Sequence, residues 1–264
     1  MNDLSKKPDT QNINVNGIII EVVNIASNSL LNAFCDRFSA DGIEPIIDVD
    51  LILEAKQTGL HCTWLIATSK STLDYYVDIE KFVKQQFSYP AAKQGAFNQA
   101  IGKKTNTILD ATGGWGGDAL LMCAQGYTVT ILERNPIMAL LLEDAMLRLS
   151  ETNWVIENQI VSPKVINIDA IDYFKNNDVR YDCVYLDPMF PPKRKKSAAT
   201  NKNMQLLHWL IGEDVDAENL ADKVIASNCS RLVVKRPNYA EPLLDEPSVQ
   251  FSSKLVHYDV YLKF

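Results

Sequence analysis

The pattern of apolar and polar positions changes character near residue 105. Beyond that point short apolar, β-branched runs at 107–111, 127–133, 164–169, 181–187 and 231–235 alternate with segments of helical apolar spacing at 118–125, 136–149, 170–174, 204–211 and 218–227. Pro136 stands just inside the start of one such segment and Gly126 closes another, the usual asymmetry of helix ends. Strand–helix alternation predicts a mostly parallel sheet with helices on both faces. Two closing runs, 249–253 and 255–263, read instead as an antiparallel hairpin.

The first hundred residues lack this regularity. Strands are expected at 17–24, 45–53 and 62–67, a helix at 30–38, and a short helix at 94–101 that ends at Gly102. Residues 75–87 fit a strand end or a helix, and residues 1–16 read as polar and frayed. The expected organisation is an N-terminal α+β subdomain, 1–104, followed by a domain of alternating strands and helices, 105–264. No motif in the first part carries recognisable chemistry.

Composition narrows the setting. With 264 residues, 47% hydrophobic and 22% charged, the chain can bury a substantial core. No apolar run approaches the ~20 residues that span a bilayer, and the polar start offers no leader, so a cytoplasmic protein is expected. Five cysteines are scattered without a Cys-x-x-Cys pair, which suits free thiols in a reducing compartment. Three histidines, none close together, give no sign of a metal site, and no metal is expected. The net charge of −7 argues against a nucleic-acid partner only globally, because Lys193-Arg194-Lys195-Lys196 concentrates positive charge locally.

The chemistry begins at Ile108-Leu109-Asp110-Ala111-Thr112-Gly113-Gly114-Trp115-Gly116-Gly117-Asp118. Of the eleven glycines in the chain, four fall within the five positions 113–117. A strand opening into such a turn, with a helix starting near Asp118, presents bare amides and a helix N-terminus to a nucleotide-like ligand. Glu133 ends the next strand twenty residues after Gly113, where a carboxylate can accept hydrogen bonds from a ribose diol. Asp169 ends the third strand, where it could take the amine of an adenine, cap the following helix, or both. A nicotinamide cofactor remains a weaker alternative on the glycines alone.

The sheet edge also carries Leu186-Asp187-Pro188-Met189-Phe190-Pro191-Pro192. The exocyclic amine of a base is a poor nucleophile, since its lone pair is delocalised into the ring. Asp187 and the Pro188 carbonyl could accept its N–H bonds and turn that pair toward an electrophilic methyl, while Phe190 stacks on a splayed base. Prolines hold such a loop at low entropic cost. The cations of 193–196 follow directly, and Lys235 and Arg236 end another strand on the same edge, where a phosphate backbone would run.

Leu109 to Asp118, Leu132-Glu133-Arg134-Asn135-Pro136, Tyr185 to Pro191 and Val233-Val234-Lys235-Arg236-Pro237 together resemble the ribosomal RNA small subunit methyltransferase J family, over about residues 73–264. The resemblance implies an α/β fold, a Rossmann-like class I methyltransferase sheet using S-adenosylmethionine. It further implies transfer to the exocyclic N2 of one guanine near the 3′ end of 16S ribosomal RNA, as free RNA or within the small subunit. The implied cofactor contacts are Gly117, Asp118, Glu133, Arg134, Asp169, Ala170 and Asp187, alongside the Gly113 turn. The family often has arginine where Gly117 stands, and a more basic, glycine-rich stretch where Lys93-Gln94-Gly95 stands. Two rival functions follow from the same residues: an adenine-N6 methyltransferase on RNA or DNA, and a non-catalytic RNA-binding assembly factor.

Overall fold

The computed structural model describes residues 10–23, 25, 28–38, 49–66, 71–88, 95–176, 180–189, 202–212 and 214–263. Its frame is two sheets that share one helix.

The first sheet holds β1 (Thr10–Val15), β2 (Ile18–Val23), β3 (Leu51–Lys56), β4 (Gly59–Ile66) and β5 (Ser71–Tyr75), in that spatial order. Only the β2–β3 pair is parallel, and α1 (Ser29–Phe38) makes that crossover. Residues 10–15, expected to fray, instead pair along their length with β2. The reason is local: Asn16 (φ 55°) and Gly17 (φ 88°) form a two-residue turn of the kind that closes hairpins, and Ile13 and Val15 are buried. The strand expected at 45–53 runs over Leu51–Lys56, and residues 45–48 lie outside the described ones. The ambiguous stretch resolves into the end of β5 and α2 (Ile79–Ser88), followed by α3 (Ala96–Ile101).

The second sheet contains β6 (Thr107–Asp110), β7 (Thr128–Glu133), β8 (Lys164–Asn167), β9 (Cys183–Leu186), β10 (Arg231–Pro237), β11 (Val249–Ser252) and β12 (Val256–Leu262). The spatial order is β11-β12-β10-β9-β6-β7-β8. Strands β8, β7, β6, β9 and β10 are parallel, and β12 is antiparallel to both β10 and β11. The chain leaves β6 toward β7 and β8, then returns to β9 on its other side. The crevice of an open α/β sheet therefore opens at the carboxyl ends of β6 and β9.

Both faces of this sheet are covered, as strand alternation requires. Ile108, Ile131, Tyr185 and Val233 point to one side, into a core shared with α3, α4 (Gly117–Ala124), α5 (Pro136–Ser150) and α6 (Asn153–Glu157). Leu109, Leu132, Val184 and Val234 point to the other, against α7 (Ala170–Asn176) and α9 (Ala217–Ala226).

Helix α5 is apolar nearly all round because it is buried from both sides. Its Leu142, Ala145, Met146 and Leu149 enter the core of the second sheet. Ile137, Met138, Leu140 and Leu141 enter a core with the first sheet, α1 and α8 (Lys202–Ile211). The side chain of Asn135 caps its start by accepting from the amides of Ile137 (2.9 Å) and Met138 (3.1 Å), a contribution of about 1 kcal/mol. A buried polar clamp completes the joint: Asp144 Oδ2 accepts from the Leu60 amide of β4 (3.0 Å) and from Arg148 Nε (2.8 Å). Among the described residues no helix is long and apolar enough to cross a membrane.

Candidate cofactor and substrate site

A cavity of about 250 Å³ lies over the carboxyl ends of β6, β7 and β9, bounded by the glycine loop, α8 and the start of α9. The loop after β6 is pressed against β7. The Gly113 amide donates to the Leu132 carbonyl (3.0 Å), and a Cβ at Gly113 would sit 2.6 Å from Ile131 Cγ2. Gly116, at φ 72°, turns the chain into α4, so the helix begins at Gly117, one residue before the expected start. A side chain at Gly117 would meet nothing within 4 Å, so its position opens to free space.

Glu133 braces this loop. Its carboxyl accepts from the Gly114 amide through Oε2 (2.9 Å) and from the Asn135 amide through Oε1 (2.7 Å). At 4% exposure burial pushes it up to about 7, with the two amides pulling the other way. Each oxygen retains a further lone pair for a ligand.

Arg134, next in sequence, pairs with Asp214 and with Asp216 (3.2 Å). Asp214 is not distinguished by any local pattern, yet its Oδ2 also accepts from the Met189 amide (2.7 Å). It thus ties the end of β7 to the loop after β9. Asp169 caps α7 by accepting from the Ile171 amide (2.8 Å), and both Asp169 and Ala170 line the cavity. The capping and cavity positions of Asp169 are compatible.

Asp187 is anchored by its backbone: its amide donates to Thr112 Oγ1 (2.6 Å), joining the loop after β9 to the one after β6. Its side chain meets Lys235, whose Nζ lies 2.9 Å from Asp187 Oδ2 and 2.8 Å from Asp118 Oδ2. The Tyr185 hydroxyl donates to the same Asp118 oxygen (2.7 Å). From the sequence Lys235 groups with the phosphate-facing cations. Its ammonium instead lies inside the cavity between two carboxylates, while Arg236 turns away and donates from Nε to the Glu241 carbonyl (2.9 Å). Alternation along β10 does not single Lys235 out, since Val233 and Val234 are equally buried; the pairing of β10 with β9, Val233 opposite Tyr185, sets it beside Asp187. Phe190, Lys193, Arg194, Lys195 and Lys196 lie outside the described residues.

A family model described as "Putative SAM-dependent methyltransferase" matches residues 46–263. The ribosomal RNA small subunit methyltransferase J of Francisella tularensis subsp. holarctica (strain FTNF002-00 / FTA) is 41% identical over 180 residues, covering 65% of this chain and 73% of that protein. The chain belongs to the ribosomal RNA small subunit methyltransferase J family. A protein of the same name from Hydrogenovibrio crunogenus is 42% identical over 158 residues, covering 59% of this chain and 57% of that one. The crystal structure of a SAM-dependent methyltransferase from Neisseria gonorrhoeae shares the fold, with a TM-score of 0.65 at 23% identity over 92% of this chain and 94% of its own.

The cofactor of this methyltransferase family is S-adenosylmethionine, and the cavity suits that molecule chemically. Carboxylates line it at Asp118, Glu133, Asp169 and Asp187, matching a sulfonium cation, an ammonium group, ribose hydroxyls and an adenine amine. The first turn of α4 presents amides to a carboxylate, while the loop amides of Thr112, Gly113, Gly114 and Gly116 are used within the protein. The indole nitrogen of Trp115, on the lining, is a buried donor with no partner among the described residues. Among those residues no group of three or more His, Cys, Asp or Glu is arranged to hold a metal ion.

Proposed function

We propose that the chain methylates the exocyclic N2 amine of a guanine near the 3′ end of 16S ribosomal RNA. The observation that carries this is Asp187, at the carboxyl end of β9, sharing the rim of one cavity with the glycine loop and linked to it through Thr112. The relatives named ribosomal RNA small subunit methyltransferase J support the choice of substrate.

Bound in the cavity, S-adenosylmethionine supplies a methyl group on a positively charged sulfur. Glu133 orients the ribose, Asp169 and Ala170 the adenine, and the amides at Gly117 and Asp118 the amino-acid end, with Gly113 holding the loop against β7. Arg134, held by Asp214 and Asp216, closes the wall beside them. Asp187 accepts an N–H bond from the target amine, turns the nitrogen pair toward the methyl, and takes the proton released as the new bond forms. Phe190 stacks on the extruded base, and Lys193, Arg194, Lys195, Lys196 and Arg236 meet the phosphate backbone. Residues 1–104 form a subdomain that adds RNA contacts next to the catalytic domain of 105–264, and the protein works in the cytoplasm.

Incubation of small-subunit RNA, assembly intermediates and mature subunits with labelled S-adenosylmethionine, followed by mapping of the labelled base, tests the reading. Label on a guanine N2 near the 3′ end supports it. Label on an adenine N6 assigns the same carboxylate to the other amine, and cofactor binding without any transfer points to an assembly factor.

A further inference from the structure

Lys235 stands where three acids converge. Asp118 comes from the first turn of α4, Asp187 from the end of β9, and Asp110 from the end of β6, while the lysine itself belongs to β10. The ammonium contacts the first two at 2.8 and 2.9 Å. Asp110, 2% exposed, lies close enough to feel the charge of both. Among the described residues no other lysine or arginine makes an ion pair with any of the three. Among the described residues the second oxygen of Asp187, Oδ1, has no protein partner, and its side chain is partly open to the cavity.

We propose that Lys235 is a positioning residue of the methyl-transfer site: its ammonium keeps Asp187 ionised and turns Oδ1 toward the target amine. This rests on the reading of Asp187 as the amine acceptor. An ionised oxygen accepts an N–H bond and afterwards a proton; a protonated one does neither. Burial, with the charges of Asp118 and Asp214, pushes Asp187 toward its protonated form, and the lysine is the opposing charge. Two carboxylates also hold Lys235 firmly protonated, so it serves as a fixed cation and not as a base. Its side chain is only 23% exposed and both of its ion-pair partners belong to the cavity, which leaves it poorly placed for a phosphate.

The test is a ¹³C carboxyl NMR titration of Asp187, assigned by its loss in Asp187→Asn, in the wild type, Lys235→Met and Lys235→Arg. Binding of S-adenosylhomocysteine by calorimetry and kcat and KM for small-subunit RNA accompany it. The expected result is an Asp187 midpoint raised by about one pH unit or more in Lys235→Met, a tenfold change in proton affinity. A fall in kcat at neutral pH of about tenfold accompanies it, with RNA KM within about threefold. Lys235→Arg restores the midpoint and part of kcat while showing that the strand tolerates substitution. An unmoved Asp187 midpoint in Lys235→Met overturns the proposal, as does a raised RNA KM at unchanged kcat, which marks a phosphate contact. If the wild-type protein transfers no methyl to ribosomal RNA, the reading of Asp187 fails by itself, and the NMR midpoint still decides whether Lys235 governs its charge.

Discussion

The ring of Tyr75, at the end of β5, lies against the indole of Trp115 in the glycine loop, with centroids 3.7 Å apart and planes inclined by 37°. A residue of the first sheet is thus packed directly on the loop that faces the candidate cofactor cavity. A second pair, Trp64 of β4 and Trp209 of α8 at 5.1 Å, fastens the same sheet to another wall of that cavity. The N-terminal sheet is therefore structural support for the site.

Replacing Tyr75 by alanine removes this support. Loss of a large aromatic from a packed interface costs about 2–4 kcal/mol, and the loop loses the surface that fixes Trp115. Weaker binding of S-adenosylhomocysteine, by about fivefold or more, is expected in calorimetry. Tyr75→Phe should bind as the wild type does, because the packing uses the ring. Equal affinity in the alanine variant would show that the loop holds itself.

Two glycines of the loop separate backbone need from side-chain need. A Cβ at Gly113 meets Ile131 Cγ2 at 2.6 Å and the Leu132 carbonyl at 3.0 Å, and a β-branched core residue has no free rotamer to yield. Gly113→Ala should cost roughly 1–3 kcal/mol in denaturant unfolding and displace the amide from Leu132. Gly117→Ala meets nothing within 4 Å and lies in the first turn of a helix. It should leave stability within about 0.5 kcal/mol of the wild type. A reversed order of the two would show that the loop does not approach β7 as described.

Asp187→Ala removes the proposed amine acceptor but leaves the amide that bonds to Thr112. Methyl transfer is expected to fall by at least about a hundredfold in kcat, since both orientation and proton acceptance are lost. Cofactor affinity should change far less, because Asp118 still engages Lys235. Near-normal turnover in this variant, measured with labelled cofactor, is incompatible with the proposed mechanism.

The parallel sheet, its helices and the terminal hairpin were legible in the sequence because each depends on local periodicity and on glycine and proline punctuation. Helix α5 shows where that reading ends. Its all-round apolar character is visible, but that its second face packs on another sheet is a tertiary fact. The same holds for Asp214, whose importance comes from Arg134 and the Met189 amide, both far away in the chain. Tyr75 likewise has no motif around it; its role depends on the partner that folding brings to it. Lys235 belongs with them: grouped from the sequence with the phosphate-facing cations, it is set beside Asp187 only by the pairing of β10 with β9.

Asp110 makes the stability of the protein depend on pH. Its carboxyl is 2% exposed and is pushed up to about 8, chiefly by burial and then by the charge of Asp118. In the unfolded chain the same group titrates near 4. Between those values the native state holds a proton that the unfolded state has released, so stability falls as pH rises from about 4 to about 8 and levels off above. Glu133, raised to about 7, adds a decline of the same sign over a narrower range. Asparagine at position 110 cannot ionise, yet its carbonyl can still accept from the Thr112 amide, now at 3.2 Å from Asp110 Oδ1. In thermal melts between pH 5 and 8.5, Asp110→Asn should therefore gain on the wild type steadily as pH rises, the remaining slope being that of Glu133 and Asp187. Melting curves that shift in parallel across this range would mean that Asp110 is ionised in the folded protein.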